Sequence, residues 1–291
     1  MNSDHLRALT AAMEHGTFDA AADALGISGS AFSQRIKALE KQVGQVLLAR
    51  TVPVTATPAG EHMLRLARQT LALEEEALGA LGVGRDGMTP LHVAVNADSL
   101  DTWFLGVLQR AATWDSVMLR LHSEDQEHTV ALLRSGTVMA AVTATDEPVP
   151  GCVAVPLGSM RYYPVVTRDL AERHPAPDGS PDLTRIPVVD YGVRDLLQRA
   201  TLSRVTAGAP PHHTVPSVTA YRHAVVRGLG WGMLPQFQIP DGVTAGTHPE
   251  LAVIEELGCV DVPLFWQRWT TGPASLDRLT EAVLAAARAM V

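Results

Sequence analysis

The segment from residue 28 to residue 43, SGSAFSQRIKALEKQV, constrains the fold more than any other part of the chain. Four of its apolar residues recur at the spacing of one face of an α-helix. They are Phe32, Ile36, Leu39 and Val43. The opposite face carries hydrogen-bonding and positively charged side chains, namely Ser30, Ser33, Gln34, Lys37 and Lys41. A helix with two such faces must bury one of them, so the segment predicts one helix of a small bundle.

Two shorter helical patterns precede this segment. Residues 3–15 follow a helical apolar spacing behind Ser3, which we expect to cap the first helix. Residues 17–26, TFDAAADALG, predict a short Ala-rich helix that ends in a glycine turn, and Ser28 then caps the third helix. This order is typical of a helix-turn-helix, in which the second helix of the motif enters the major groove of DNA.

The positive charge of the third helix contrasts with the rest of the chain. The protein has 291 residues and a formal net charge of −8, and its two lysines are Lys37 and Lys41. Basic residues exceed acids between residues 30 and 68, where they are Arg35, Lys37, Lys41, Arg50, Arg65 and Arg68. A local basic face on an acidic chain suits a nucleic-acid-binding module attached to another domain. The alternative is an ordinary solvated helix of a three-helix bundle.

A small wing and a long helix are predicted next. Short β-branched pieces surround Arg50 and Pro53, and Thr57-Pro58 supplies an N-cap and a first-turn proline for a helix that runs to about Leu81. Its leucines recur at intervals of seven, and they are Leu64, Leu71 and Leu78, with Leu66 and Leu73 alongside. This pattern is typical of a short coiled coil and predicts self-association. The alternative is a helix that packs on its own domain.

From residue 91 onward, strands and helices alternate. Residues 91–96, 117–123 and 138–144 predict parallel strands, with one helix over residues 100–112 between the first two. Later strands are expected at 153–158, 162–167, 251–257 and 262–271, and an amphipathic helix closes the chain. Because 46% of the residues are hydrophobic, these elements can bury a sizeable core. The pattern predicts two α/β lobes with a cleft between them.

These segments resemble a known family. FDAAADALGISGSAFSQRIKALEKQVGQVLLART, followed by the wing and TPAG, resembles the winged helix-turn-helix of the LysR-type transcriptional regulators. More narrowly, SQRIKALE and RTVPVTATPAG resemble the branch that controls export of basic amino acids, the ArgP and LysG group. VAVNADSLDTWF, EDQEHT, GSMRYYPV and RGLGWGMLP also resemble that branch, so the similarity spans essentially the whole chain.

The resemblance implies an architecture and an assembly. It implies an N-terminal winged helix-turn-helix with a long dimerising linker helix, tetramer assembly, and a two-lobed α/β effector domain that is periplasmic-binding-protein-like. We expect the DNA-binding domain at residues 1–58, the linker helix at 59–84, a hinge at 85–90 and the regulatory domain at 91–291. Lobe I is expected at about 91–160 and 266–291, and lobe II at about 161–265.

For DNA, the third helix and the wing supply the candidate residues. Gln34 suits a bidentate contact to adenine, and the nearby serines suit base edges or phosphate oxygens. The basic side chains suit phosphates and fix the position of the helix on the duplex. The candidate residues are Ser28, Ser30, Ser33, Gln34, Arg35, Lys37, Lys41 and Arg50.

For a small-molecule effector, the first strand ends at NADS, at the edge where open α/β sheets bind ligands. A helix that opens near Ser99, with Thr102 and Trp103 in its first turn, would offer backbone N–H groups to an α-carboxylate. The acids Asp98, Glu124 and Asp125 suit a cationic ligand. Thr143 ends the third strand. By their place in branch-like stretches, further candidates are Met160, Arg161, Asp190, Ser217 and Thr219.

The resemblance implies a regulator that responds to lysine or arginine and controls an exporter gene, with RNA polymerase as a partner. Other interpretations stay open: a different effector such as an aromatic acid, an inhibitor of chromosome initiation, or an α/β solute-binding or enzymatic domain with a structural helix-turn-helix. The acids favour a basic ligand over an aromatic acid.

No enzymatic motif, metal spacing or cofactor is expected, and Cys152 and Cys259 are expected in the core. Without a signal peptide or a bilayer-spanning run, the sequence predicts a cytoplasmic, nucleoid-associated protein without a membrane partner.

Overall fold

The computed structural model describes residues 2–81, 89–115, 117–123, 126–192, 197–205 and 208–290. Its helices are α1 Ser3–His15, α2 Phe18–Ala24, α3 Gly29–Val43, α4 Pro58–Ala80, α5 Ala97–Leu100, α6 Leu105–Ala111, α7 Gln126–Ser135, α8 Arg168–Arg173, α9 Leu197–Leu202, α10 Val218–Val226 and α11 Ala274–Ala287. Its strands are β1 Leu48–Ala49, β2 Thr55–Ala56, β3 Thr89–Val95, β4 Val117–Ser123, β5 Ala140–Thr143, β6 Cys152–Thr167, β7 Val188–Asp190, β8 His212–Thr214, β9 Gly232–Pro235, β10 Leu251–Val253 and β11 Val260–Trp269.

The chain forms two compact units. The first comprises Met1–Val95, Val107–Val155 and Trp266–Val283, and the second comprises Asn96–Gly106, Pro156–Phe265 and Leu284–Val291. The four-part domain division expected from the sequence stays a prediction.

The first three helices begin where small polar residues cap them. Thr17 and Ser28 cap α2 and α3 as side-chain acceptors of backbone N–H groups, which confirms Ser28 as a cap. The prediction that Ser3 caps α1 is wrong, because the Asn2 side chain accepts the hydrogen bond from Asp4 N at 2.8 Å. Asn is as good an N-cap as Ser, and the helix therefore starts one residue earlier than the capping assignment implied.

The apolar face of α3 is buried as expected. Phe32, Ile36 and Leu39 are 0–3% exposed in a core shared with α1, α2 and the start of α4. The Phe32 ring meets the Phe18 ring edge to face at a centroid distance of 5.1 Å. Burying an aromatic and two aliphatic side chains contributes about 1.5–3 kcal/mol each. This core fixes α3 against its neighbours and leaves the polar face outward.

The wing and the long helix match their predictions. β1 and β2 pair antiparallel, with Leu48 opposite Ala56. Thr57 caps α4 through its hydroxyl, which accepts from Gly60 N at 3.0 Å, and Pro58 opens the first turn. Leu64 and Leu71, however, do not lie in a coiled-coil contact. Both pack against the core of α1–α3, so for these two residues the alternative of a helix that packs on its own domain is correct.

The first unit also contains a parallel sheet. β3 pairs parallel with β4 on one side and with β5 on the other, and β11 follows β5 in the strand order. The predicted βαβαβ pattern is thereby confirmed for these three strands. The first unit therefore joins the DNA-binding helices to a parallel sheet.

The single helix predicted over residues 100–112 is wrong. α5 ends at Leu100, turns follow, and α6 begins at Leu105. The Phe104 N–H donates to Ser99 O at 3.0 Å, which closes a wider turn than an α-helix allows. The break lets Trp103 and Phe104 both be buried, with their rings edge to face.

Strand β6 corrects another prediction. It is one strand from Cys152 to Thr167, whereas the sequence predicted two separate strands. Gly158, with a φ of 121°, accounts for the interruption in the sequence pattern without ending the strand. β9 and β10 pair antiparallel with β6, and β7 pairs parallel with β8. The predicted strand over 251–257 ends at Val253, and a 3₁₀ turn follows.

Candidate DNA-binding and effector sites

The outer face of α3 presents polar and cationic groups to solvent. Gln34, Lys37 and Lys41 are exposed, as is Ser30, and Ser33 is half-buried. Ser28 Oγ accepts from Ala31 N at 3.2 Å and lies 3.0 Å from Ser30 Oγ. Because the buried residues hold the opposite side of the helix, this face is free to meet a partner as a rigid surface.

Arg35 has a different environment from the lysines. Its guanidinium donates to Asp4 on α1, with Nη2 3.2 Å from Oδ2, and both side chains are partly exposed. An exposed pair of this kind contributes less than about 1 kcal/mol. Arg35 therefore ties α3 to α1, while a phosphate contact by Arg35 stays a prediction.

Arg50 lies at the base of the wing. It is exposed, and its guanidinium carbon lies 5.8 Å from the centroid of the Phe18 ring, within cation–π range. This contact connects the wing to the start of α2. Arg50 and the lysines of α3 give the first 60 residues two sources of positive charge next to polar side chains.

In the second unit, the segment from Asn96 to Gly106 brings four predicted effector residues together. They are Asp98, Ser99, Thr102 and Trp103. A helix does begin near Ser99, but α5 is a single turn, so its dipole is short and Thr102 and Trp103 follow it instead of lying in its first turn. Thr102 Oγ1 instead donates to Asp98 O at 2.5 Å.

Three buried polar atoms in this segment, Asn96 Oδ1, Ser99 Oγ and Trp103 Nε1, have no hydrogen-bond partner within the described residues. Ser99 is 0% exposed and Trp103 is 6% exposed, and neither Ser99 Oγ nor Trp103 Nε1 is bonded there. Buried polar groups in folded proteins are nearly always hydrogen-bonded. Ser99 and Trp103 are therefore the groups of this segment best suited to bind a polar ligand.

Two tyrosines that sequence reasoning missed interact with Asp98. The buried Tyr162 donates from its hydroxyl to Asp98 Oδ2 at 2.7 Å. The partly exposed Tyr191 has a raised pKa because of burial and, next, because of the negative charges of Asp98 and Asp101. The negative charge of Asp98 suits an organic cation.

Asp190, Ser217 and Thr219 lie around the end of β7. Asp190 is buried, and its Oδ2 lies 3.4 Å from Arg199 Nη2. Ser217 caps α10 by accepting from Ala220 N at 3.4 Å, and Thr219 is exposed in the first turn. Asp190 O accepts from Val215 N at 2.8 Å, which holds this loop close to the end of β7.

Met160 and Arg161 are neighbours on β6, and their role at the effector site stays a prediction. Met160 is 0% exposed in the core. Arg161 follows it on β6, and successive side chains of a strand point to opposite faces, so Arg161 faces away from the side of Tyr162. It donates to both oxygens of Asp261 at 2.7 and 2.8 Å, and this ion pair is the largest cause of the raised pKa of Arg161.

A surface depression of about 440 Å³ adjoins this ion pair. Its lining includes Ser159, Gln236 and Met290 besides the pair itself. Because Asp261 already neutralises Arg161, this surface offers little net charge to a ligand.

Thr143 lies in the first unit, at the end of β5, and is buried. Its hydroxyl donates to Thr145 O at 3.1 Å and accepts from Gln267 Nε2 at 3.2 Å. Gln267 is a third residue that sequence reasoning missed, although an amide next to a tryptophan in a predicted strand is a recognisable pattern. Glu124 and Asp125 lie outside the described residues, so their predicted role is untouched by the structure.

The cysteines differ from each other. Cys152 is buried, and burial raises the pKa of its thiol to about 11, which keeps it protonated. Cys259 is exposed, so the prediction that it lies in the core is wrong. Among the described residues, no three His, Cys, Asp or Glu side chains lie close enough to hold a metal ion. In the same part of the chain, no helix has the length and apolar character needed to cross a membrane.

The N-terminal part of the chain is a helix-turn-helix with an exposed polar face, a wing and a long following helix. The α/β part contains buried polar groups without a hydrogen-bond partner among the described residues. Together these features define a ligand-responsive DNA-binding protein. Two family models match the chain: "Bacterial regulatory helix-turn-helix protein, lysR family" over residues 3–61 and "LysR substrate binding domain" over residues 86–288. The chain belongs to the LysR family of bacterial regulators. This confirms the family predicted from the sequence and its interpretation as a regulator, not an enzyme.

Relatives similar to the whole chain are regulators of the predicted branch. The lysine export transcriptional regulatory protein LysG of Corynebacterium efficiens is 45% identical, over 99% of this chain and 99% of the relative. The regulator ArgP of Pseudomonas fluorescens is 36% identical, over 95% of this chain and 93% of the relative.

Two solved structures are similar over their full length. Full-length LysG of Corynebacterium glutamicum with bound effector Arg has a TM-score of 0.84 and 42% identity, covering 99% of both chains. ArgP of Mycobacterium tuberculosis has a TM-score of 0.85 and 40% identity, covering 99% of this chain and 97% of that one.

Proposed function

We propose that this protein is a transcriptional regulator that binds promoter DNA through α3 and the wing and senses a basic amino acid, lysine or arginine. The observation that carries the proposal is the outer face of α3, where exposed Gln34, Lys37 and Lys41 stand opposite a fully buried core. The regulated gene is proposed to encode an amino-acid exporter, because the LysG relatives are named as lysine export regulators.

For DNA, the proposal divides the work between two kinds of side chain. Gln34 has the donor and acceptor needed to recognise adenine in the major groove. Lys37, Lys41 and Arg50 would neutralise phosphates, and Ser28, Ser30 and Ser33 would contact base edges or phosphate oxygens at short range.

Gel-shift titrations at two salt concentrations test this division. Gln34→Ala should weaken binding to the specific site by about 1–3 kcal/mol and relax specificity at one position. Lys37→Ala should weaken binding to all sequences alike and reduce the salt slope by about one. Gln42→Ala is the matched control, because Gln42 is exposed on α3 but outside the outer stripe. An equal, sequence-independent loss for Gln34→Ala and Lys37→Ala would contradict the division.

For the effector, the support is the chemistry of the Asn96–Gly106 segment and the arginine bound to the similar LysG structure. Asp98 supplies negative charge, and Tyr162 holds its carboxylate through a hydrogen bond of 2.7 Å. An aromatic acid would place its own carboxylate against Asp98 and is disfavoured. The other proposed contacts are Ser99, Thr102, Trp103, Glu124, Asp125, Thr143, Asp190, Ser217 and Thr219.

Thermal-shift screening tests the effector class. A ligand at 100 times its Kd stabilises the protein by about 2.7 kcal/mol, so lysine or arginine should raise the Tm measurably. Norleucine and citrulline, which lack the side-chain cation, serve as controls. If neither lysine nor arginine raised the Tm, the effector class would be wrong, while the DNA-binding proposal would stand on its own titrations.

We further propose that the protein acts as a homodimer or homotetramer on the nucleoid and contacts RNA polymerase there. Leu66 and Leu73 lie seven residues apart on α4 and are 41% and 36% exposed, which suits a helix–helix contact between copies. We also keep residues 1–58, 59–84, 85–90 and 91–291 as the proposed functional division of the chain. Sedimentation of Leu73→Glu tests the assembly, since a charge in the contact should shift it toward monomer.

A further inference from the structure

The side-chain hydroxyl of Tyr162 forms a hydrogen bond with the carboxylate of Asp98, a proposed effector residue. The side chain is 6% exposed, and its hydroxyl donates to Asp98 Oδ2 at 2.7 Å. The two residues are 64 positions apart in the chain, so the contact is made by the fold and not by local sequence. Strand β6 holds Tyr162 in place through its antiparallel pairing, in which Tyr162 lies opposite Pro235.

The contact sets the direction in which Asp98 presents its charge. Asp98 lies on the single turn α5, which has no side-chain cap and only four residues, so α5 alone orients its side chains weakly. A phenol hydroxyl bound to one carboxylate oxygen is a charge-assisted hydrogen bond and fixes the plane of the carboxylate. The Tyr191 ring lies in the field of the same carboxylate and that of Asp101, which together raise its pKa after burial.

We infer that Tyr162 is a positioning residue of the effector site, which orients the Asp98 carboxylate toward the side-chain cation of the effector, a guanidinium or an alkylammonium. The inference rests on the proposed function, because it assumes a basic amino acid as effector. The Tyr162 hydroxyl thereby helps the protein to distinguish an effector with a cationic side chain from one with a neutral side chain, although the hydroxyl itself need not contact the effector.

Isothermal titration of the full-length protein with arginine and with citrulline tests the inference. Citrulline has nearly the shape of arginine and lacks the positive charge. Tyr162→Phe removes only the hydroxyl, and the Kd for arginine should rise about tenfold, because a carboxylate that is no longer held in one orientation attracts the cation less well. The Kd for citrulline should change by less than about threefold, because a neutral side chain gains little from an oriented carboxylate.

Tyr163→Phe is the matched control. Tyr163 is the next residue of β6, half-buried, and points to the opposite face of the strand. Its loss of a hydroxyl should leave the ratio of the two Kd values unchanged. In an Asp98→Asn background, Tyr162→Phe should have no further effect on arginine affinity, because the positioned charge is already gone.

The results distinguish a failure of the Tyr162 role from a failure of the proposed effector class. If the wild type binds neither arginine nor lysine, the proposed effector class fails and the inference fails with it. If the wild type binds arginine and Tyr162→Phe changes the arginine and citrulline affinities by the same factor, Tyr162 is merely structural and only the inference is overturned. Additive effects of Tyr162→Phe and Asp98→Asn would also overturn it. Should Tyr162→Phe fold poorly, the loss of arginine-over-citrulline preference in Asp98→Asn decides whether Asp98 meets the cation at all.

Discussion

Gln267 lies fully buried in β11, and its side-chain amide forms four hydrogen bonds to the segment between β5 and β6. The two N–H groups of Nε2 are shared among three acceptors, Thr143 Oγ1, Thr145 O and Glu147 O, at 3.0–3.2 Å. Oε1 accepts from Val149 N at 3.1 Å. The next residue in the chain, Pro150, accepts a hydrogen bond from Arg65 of α4 at 2.6 Å. One amide therefore holds the loop that connects a proposed effector residue to the long helix.

Replacing Gln267 by leucine keeps the volume of the side chain and removes all four hydrogen bonds. Each is worth about 1 kcal/mol net, and leaving the buried Val149 N–H without a partner adds to the loss. Burial of the more apolar leucine offsets part of it, so we expect Gln267→Leu to lower the free energy of unfolding by about 3 kcal/mol. This is a large part of the about 5–15 kcal/mol that stabilises a typical domain.

Gln267→Glu separates hydrogen bonding from shape. The introduced carboxylate retains the acceptor for Val149 N and places negative charge beside three oxygen acceptors, so we expect the pKa of the buried carboxyl to be raised. A group whose pKa is raised on folding contributes stability at low pH and loses it as the pH rises. The loss in free energy of unfolding caused by Gln267→Glu should therefore grow between pH 5 and pH 8, about the range in which a carboxyl with a strongly raised pKa ionises. The loss caused by Gln267→Leu should stay constant over that range.

Urea denaturation followed by tryptophan fluorescence measures both variants, since Trp266 and Trp269 flank the site and are buried. Gln109→Leu is the control, because Gln109 is exposed on α6 and should change stability by less than about 0.5 kcal/mol. A loss below about 1 kcal/mol for Gln267→Leu, or the same pH-independent loss for both Gln267 variants, would refute the assignment of the four hydrogen bonds.

Three further predictions concern the first unit. Burial and the neighbouring His122 lower the pKa of His92 below its ordinary 6.5, so the free energy of unfolding should fall as the pH drops through about 6.5. His92→Gln should reduce the difference in stability between pH 7.5 and pH 5.5, as measured by urea titration. Thr57→Ala removes the cap of α4 and should cost about 1–2 kcal/mol by the same titration, while Thr57→Ser should retain most of the stability. Phe32→Ala should cost about 3–5 kcal/mol and abolish DNA binding in gel shifts without removing any group that faces DNA; retained affinity would contradict the role of the core.

The DNA-binding end was largely predictable from the sequence because local rules determine it. The spacing of Phe32, Ile36 and Leu39 forces one helical face inward, and small polar caps with glycine turns set the helix ends. Even here the sequence could not decide between the two partners available to Leu64. Whether an apolar heptad position meets another copy or its own domain depends on tertiary packing, and Leu64 packs on its own domain.

The effector region was less predictable because its contacts join distant residues. Asp98 and Ser99 were identified from their place at the end of a strand, but Tyr162 and Gln267 reach their partners across 64 and 124 residues. Arg161 shows the same limit, since the sequence does not reveal that it pairs with Asp261, 100 residues away. The break between α5 and α6 also followed from burying Trp103 and Phe104 together, which helical periodicity does not anticipate.

The central claim is that α3 recognises a specific DNA site and that a basic amino acid changes how the protein holds it. DNase footprinting on a genomic fragment selected by the purified protein measures both parts at once, with arginine or lysine added and citrulline as the control. We expect a footprint of two-fold symmetry. Its extent or its hypersensitive positions should change with arginine or lysine and not with citrulline, and the Gln34→Ala variant should give no footprint. A footprint identical with and without both basic amino acids, or one retained unchanged by Gln34→Ala, would contradict the central claim.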